Sequence, residues 1–197
     1  MQKRIALYGG TFDPVHSGHI EIARKVSELF EIEKVLFIPA QVAPHKVGRP
    51  VSPPVHRYAM LALATQNDPR LSISTFELDA PDRRYTVDTV EHFHTVLGDS
   101  TELFFIMGGD SWSEITTWRE WQRLLQMVNH IVVTRPGHPV DQKLPVAGAR
   151  VMFTDAVMKD VSATAIRRLA ADEHYAELVQ LVPEPVAEYI RKYELYR

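Results

Sequence analysis

Six short apolar runs, at residues 5–8, 35–39, 71–76, 103–107, 131–134 and 151–154, alternate with stretches of helical period. The runs are rich in β-branched and aromatic residues and read as buried strands. Between them, one helical stripe carries Ile20, Ala23, Val26 and Phe30. A second carries Tyr58, Leu61 and Leu63, a third Val87, Val90, Phe93 and Leu97, and a fourth Trp118, Trp121, Leu124 and Leu125. Strand alternating with helix predicts an α/β fold, an open and mostly parallel sheet with helices on both faces. After Ser162 the pattern becomes helix, helix, a break at Pro183-Glu184-Pro185 and a last helix to about Tyr193, so helices are expected to pack onto the sheet at the end of the chain. A chain of 197 residues buries one good core and is too short for two.

The charge balance narrows the partners. A net charge of -3 offers no basic footprint for a nucleic-acid polymer, so a bound nucleotide is expected to be small. The absence of cysteine excludes disulfides, thiolate metal sites and thiol catalysis, and it suits a reducing cytoplasm. The first residues run straight into an apolar strand without the stretch that a signal peptide or membrane span needs, so a cytoplasmic protein with no membrane contact is expected. Three loops, residues 40–54, 79–84 and 136–150, exceed the usual connection of about 4–6 residues and are candidates for function.

The first run ends in Gly9-Gly10-Thr11-Phe12-Asp13-Pro14-Val15-His16-Ser17-Gly18-His19 and leads into an amphipathic helix. In open parallel sheets, ligands bind beyond the carboxyl ends of the strands. Two glycines let a phosphate approach the main chain, and the following helix start presents N–H groups and a positive dipole end. The segment therefore reads as a phosphate seat. It is neither the G-x-G-x-x-G dinucleotide fingerprint nor a P-loop. His16 and His19 lie three apart and can face one ligand, imidazolium donating to phosphoryl oxygen. They read equally as surface or capping histidines, while a metal pair lacks a third ligand at recognisable spacing.

The segment resembles the N-terminal His-x-Gly-His signature of the nucleotidyltransferase superfamily, and its lead-in resembles the bacterial nicotinate-nucleotide adenylyltransferases. Further matches follow in order: Pro44-His45-Lys46, Tyr85-Thr86-Val87-Asp88-Thr89, Gly108-Gly109-Asp110 with Trp118, Val132-Val133-Thr134-Arg135-Pro136-Gly137, and Val161-Ser162-Ala163-Thr164-Ala165-Ile166-Arg167. The resemblance implies a single nucleotidyltransferase domain over residues 1–197 with a Rossmann-like sheet. It implies adenylyl transfer from ATP to nicotinate mononucleotide in NAD biosynthesis, with Mg²⁺ bound mainly through ATP phosphates and no dedicated metal ligands on the protein. A homo-oligomer is left open.

By the same resemblance, ATP would meet Gly9, Gly10, Thr11, Phe12, His16, His19, Ser162, Thr164 and Arg167. The mononucleotide would meet His45, Lys46, Tyr85, Thr86, Asp110, Trp118 and Arg135. His16, His19, Lys46 and Arg167 would supply the catalytic positive donors. Physical chemistry supports these roles: a helix start with a guanidinium is a strong anion site, and a tryptophan offers a flat face to a pyridine ring. A helix beginning near Val87 would favour a carboxylate over a carboxamide. Asp110 reads either as a ribose acceptor or as a helix N-cap, His45 and Lys46 also as solvated loop charges, and Trp112 and Trp121 as core. Ala163 stands where the family has a second serine, a loss of about 1 kcal/mol for one neutral hydrogen bond. Ala43 stands in place of a proline, and Arg84, in place of a serine, has no assigned role. Rival readings are the same chemistry on phosphopantetheine or nicotinamide mononucleotide, an oxidoreductase lacking its glycine fingerprint, and a module that binds ATP without turnover.

Overall fold

In the computed structural model, which describes residues 2–41, 51–80, 85–134, 140–143, 146–155 and 161–197, each of the six apolar runs is a strand. β1 (Lys3–Gly10), β2 (Lys34–Pro39), β3 (Leu71–Ile73), β4 (Thr101–Gly108), β5 (Asn129–Val133) and β6 (Val151–Thr154) form one sheet ordered β3-β2-β1-β4-β5-β6. Every neighbouring pair is parallel. β1 and β4 extend past their apolar centres because Arg4 pairs in register with Glu102 and its Nε donates to Glu102 Oε2 at 2.9 Å. β3, expected to reach residue 76, stops at Ile73. At this sheet edge Ser74 Oγ accepts from the Phe76 N–H at 3.1 Å, and a turn replaces the strand.

The helices divide between the two faces. α1 (Ser17–Leu29), α2 (Pro54–Thr65), α6 (Ala163–Ala171), α7 (Tyr175–Leu181) and α8 (Glu184–Lys192) cover one, and α3 (Thr86–Leu97), α4 (Gly109–Ser113) and α5 (Trp121–Met127) cover the other. Strand residues alternate between them: Ala6 and Tyr8 enter the first core and Leu7 the second, as do Phe104 and Ile106 against Phe105 and Met107. With both faces covered, no strand position needs to be polar, which is why the runs are continuously apolar. Among the described residues no helix is long and apolar enough to cross a membrane.

One helical stripe is not continuous. The chain makes a short 3₁₀ turn at Ile115–Thr117, then extends at Trp118 (φ -76°, ψ 148°), and Glu120 adopts a left-handed φ of 50°. α5 therefore starts at Trp121, and Trp118 belongs to the connection before it. Trp112 is buried, as expected, with Nε1 donating to the Asp141 carbonyl at 2.7 Å, while Trp121 packs partly buried against the same core. At the C-terminal end Pro183 sets the start of α8, and Ser17 Oγ donates to the Leu181 carbonyl at 2.8 Å, fixing α7 to the start of α1.

The strand order reverses direction at β1, whose neighbours are β2 on one side and β4 on the other. Connections leave β1 and β4 toward opposite faces there, opening a crevice at their carboxyl ends. His130 lies fully buried on β5 beside Phe105, and burial holds its imidazole down to about 4 from its ordinary 6.5. The unfolded chain therefore binds more protons than the folded one between those two pH values. Folding stability is expected to fall by up to about 1.4 kcal/mol per unit as pH drops from 6.5 to 4. Urea unfolding at several pH values checks this, since a His130→Leu variant should lose that part of the slope whatever its stability at pH 8.

Candidate active site

β1 delivers the glycine-rich segment into the crevice. A Cβ on Gly10 would sit 2.8 Å from Phe12 Cζ, so the turn has no room for a side chain there. Phe12 itself has a left-handed φ of 50° and is 2% exposed. Its ring packs edge-on against Tyr8, His19 and Phe37. The Phe12 side chain is thus a core anchor under the loop.

The next residue is a hub. Asp13 is 3% exposed, and the Asp13–Pro14 peptide is cis. Asp13 Oδ1 accepts from the Tyr196 hydroxyl at 2.8 Å, and Oδ2 accepts from the Ser52 N–H at 3.3 Å. Burial, reinforced by the Asp13 charge, pushes the Tyr196 phenol up, so it stays a donor. The Asp13 carbonyl accepts from Arg167 Nη1 at 2.7 Å. Arg57, buried at the start of α2, donates Nε to the Ser52 carbonyl at 2.9 Å and Nη1 to the Thr11 and Ala40 carbonyls at 3.0 and 2.7 Å. The helical period of α2 placed Arg57 beside Tyr58 without marking it, and only the carbonyls gathered round it reveal its role.

His16 precedes α1, and its N–H donates to His19 Nδ1 at 3.2 Å while the two rings stack at 3.7 Å. An accepting Nδ1 places the neutral His19 proton on Nε2, so this ring is a donor at Nε2 without becoming imidazolium. On the facing element, Ser162 caps α6 by accepting from the Ala165 N–H at 3.1 Å, which leaves its hydroxyl proton as a donor. Arg167 Nη2 donates to Thr164 Oγ1 at 3.1 Å. The contact from Arg167 to Asp13 thus brings Ser162, Thr164 and Arg167 to the segment of Gly9, Gly10, Thr11, His16 and His19.

On the other side of β1 lies a cavity of about 370 Å³. Gly9, Gly10 and Thr11 form one wall, and Tyr85, Thr86 and Trp118 are also at its lining, together with Phe105 and Gly108 from β4. Thr86 opens α3, so its N–H is among those a helix leaves without an internal partner. The Tyr-Thr-Val-Asp-Thr motif also has local duties: Asp88 Oδ2 accepts from the Tyr85 N–H at 3.1 Å, and Thr89 Oγ1 donates to Glu77 Oε1 at 2.7 Å. Glu77 and Arg119 also line the cavity, though neither period nor spacing points to them in the sequence, and Thr89, quoted there within its motif but given no role, lines it as well. Asp110 is not an N-cap: Gly108 holds that position, and Asp110 is exposed in the first turn of α4 while Ser111 reaches the lining. His45, Lys46 and Arg135, with Ala43 and Arg84, lie outside the described residues. Among the described residues no three His, Asp or Glu side chains converge as metal ligands.

The cytidylyltransferase-like family model matches residues 7–169. Proteins named "probable nicotinate-nucleotide adenylyltransferase" from Symbiobacterium thermophilum and Thermus thermophilus are 42% and 40% identical. Each alignment spans 98% of this chain, and 95% and 100% of the two relatives. The chain belongs to the cytidylyltransferase-like family, among the nicotinate-nucleotide adenylyltransferases. A solved structure, Plasmodium falciparum nicotinic acid mononucleotide adenylyltransferase complexed with NaAD, superposes with a TM-score of 0.82 over 98% of this chain and 97% of that one. At 20% identity that likeness establishes the fold.

Two glycines of the crevice separate packing from ligand space. Gly10→Ala is expected to lose about 1–3 kcal/mol of stability by overpacking Phe12. Gly108 has φ -80° and nothing within 4 Å of a built Cβ, so Gly108→Ala meets no clash and should cost no more than about 1 kcal/mol, the loss of a glycine from the N-cap of α4. Thermal unfolding of both variants checks the contrast, and the methyl on Gly108 should raise KM for a ligand of the cavity.

Proposed function

We infer that this chain transfers the adenylyl group of ATP to nicotinate mononucleotide, forming nicotinate adenine dinucleotide and pyrophosphate. The observation that carries this reading is the shared wall. Gly9, Gly10 and Thr11 line the aromatic cavity and also open the segment on which His16, His19 and Arg167 converge. A pyridine ring seated against Trp118 then directs its 5′-phosphate toward the place where ATP phosphates would meet the loop. The relative from Plasmodium falciparum is described as complexed with NaAD, a dinucleotide that would span both compartments at once.

The reaction is an in-line displacement. A 5′-phosphate oxygen forms a bond to the α-phosphorus of ATP while the bond from that phosphorus to the bridging oxygen breaks, and pyrophosphate leaves with the electron pair. The nucleophile is already ionised at neutral pH, so no general base is required, and the work is alignment of two anions and stabilisation of developing charge. His19 Nε2–H and His16 would donate to the phosphoryl oxygens, and the Arg167 guanidinium and Ser162 hydroxyl would hold ATP from α6. Thr164, tied to Arg167, orients it. Lys46 and His45 would add positive charge over the phosphates, Arg135 would serve the mononucleotide phosphate, and Asp110 a ribose. With no convergent carboxylates among the described residues, Mg²⁺ would be held by phosphate oxygens and water, where it would neutralise triphosphate charge.

Pyrophosphate release with ATP and each pyridine mononucleotide tests the reading. Turnover with the nicotinate form well above the nicotinamide form is expected, and equal or reversed preference overturns the acceptor. His19→Ala should lower kcat by about 10²–10³, the usual loss for one donor aimed at developing charge. Arg167→Ala should raise KM for ATP far more than KM for the mononucleotide, and the opposite pattern would move Arg167 to the acceptor side.

A further inference from the structure

Among the described residues lining the cavity, two carry charge, Arg119 and Glu77. Their circumstances differ. Glu77 Oε1 accepts the short hydrogen bond from Thr89 Oγ1, which holds its carboxylate against α3. The Arg119 guanidinium instead lies over the Tyr85 ring, 4.7 Å from its centroid. Among the described residues its ion pair is to its chain neighbour Glu120 at 3.6 Å, with side chains 55% and 44% exposed. A surface pair of that length and exposure holds little of the cation's interaction energy. The aromatic face orients the guanidinium plane without neutralising it, so the charge stays available to an incoming anion.

Its place in the fold gives that charge an object. Tyr85 immediately precedes α3, and Thr86, the first residue of the helix, lines the same cavity. Trp118, the residue before Arg119, presents the other aromatic surface there. A ring on Trp118 with an anionic substituent directed at the start of α3 therefore comes to the side of the cavity where the Arg119 guanidinium lies over the ring of Tyr85. We propose that Arg119 is a specificity-determining residue, whose guanidinium selects an acceptor bearing an aromatic carboxylate over the corresponding carboxamide. This rests on the reading of the cavity as the acceptor site.

The charge on the substituent is what Arg119 discriminates. A guanidinium gains a charge-assisted, two-point contact with a carboxylate, whereas a carboxamide offers one neutral acceptor and an NH₂ group that the guanidinium repels. A bound ring excludes water from the cavity and strengthens the first interaction relative to the open state. Stacking on Trp118 is common to acid and amide and cancels from the ratio. Glu77 opposes part of this preference, since its carboxylate repels an anionic substituent, and it thereby turns such a substituent away from its own side of the cavity and toward Arg119.

The experiment uses the purified full chain and three forms of it: parent, Arg119→Gln and Arg119→Lys. Pyrophosphate release is followed with ATP and either nicotinate or nicotinamide mononucleotide, and binding of each mononucleotide is measured by calorimetry. Arg119→Gln is expected to lower kcat/KM for the nicotinate form about tenfold and to change that for the nicotinamide form less than about threefold, with KM for ATP unchanged. Arg119→Lys, which keeps the charge and loses the planar fork, should recover part of the ratio. Parallel losses on both mononucleotides would overturn the proposal, because they would mean that the guanidinium only supports the Tyr85 ring. An unchanged ratio would overturn it as well. If the parent protein turns over neither mononucleotide and binds neither, the acceptor reading falls first and the role of Arg119 with it, a result distinct from a failure of the variants alone.

Discussion

The buried guanidinium of Arg57 is the contact on which the architecture of the site depends. A positive charge with 1% exposure would be costly if left unpaired, by several kcal/mol. Burial lowers its pKa from the ordinary arginine value, and the nearby Asp13 charge opposes that shift. Its N–H groups are directed at carbonyls of Thr11, Ala40, Gln41 and Ser52, which stand at the carboxyl ends of β1 and β2 and just before α2. Those carbonyls belong to chain that has left the sheet ladder and needs donors of its own. One side chain supplies them all, which fixes how the end of β1 lies against the end of β2.

Asp13 extends the same arrangement to the other end of the chain. Its carboxylate receives Tyr196 and the Ser52 N–H, and its carbonyl receives Arg167. The glycine-rich segment is consequently held from α2, α6 and the C-terminal residues together. These contacts are buried or half-buried, hydrogen-bonded and charge-assisted, the combination that loses most when one partner is removed. The donors at the surface of this assembly, the neutral His19 imidazole and the Arg167 guanidinium, inherit their orientation from it. Preorganised donors of that kind stabilise developing charge without having to reorganise during reaction.

The cavity beyond Gly9 and Gly10 is built on different physics. Its walls are aromatic side chains and strand ends, with Phe105 beneath and edge-on to Trp118. One compartment thus presents backbone and guanidinium donors, and the other a flat apolar surface. Both open from β1, because the sheet order changes direction there and leaves the ends of β1 and β4 uncovered.

The sequence by itself determined the six strands, the two-sided helical cover and the C-terminal helices, because burial on both faces writes continuous apolar runs and helices write a 3.6 period. It also marked the glycine-rich loop, the start of α6 and the Tyr85-Thr86 and Trp118 positions through their motifs. Tertiary structure alone decided the strand order, since parallel neighbours leave no mark on local pattern, and it ended β3 at Ile73 through a side-chain turn at Ser74. It moved Trp118 off α5 through the left-handed backbone at Glu120 and took the Phe12 ring into the core. It likewise revealed Arg57, Asp13 and Arg119, whose partners lie far away in sequence or on another element. Periodicity reports which face of an element is apolar. It carries no record of which distant carbonyl, hydroxyl or ring a polar side chain will meet, and that pairing comes into being only when the elements pack.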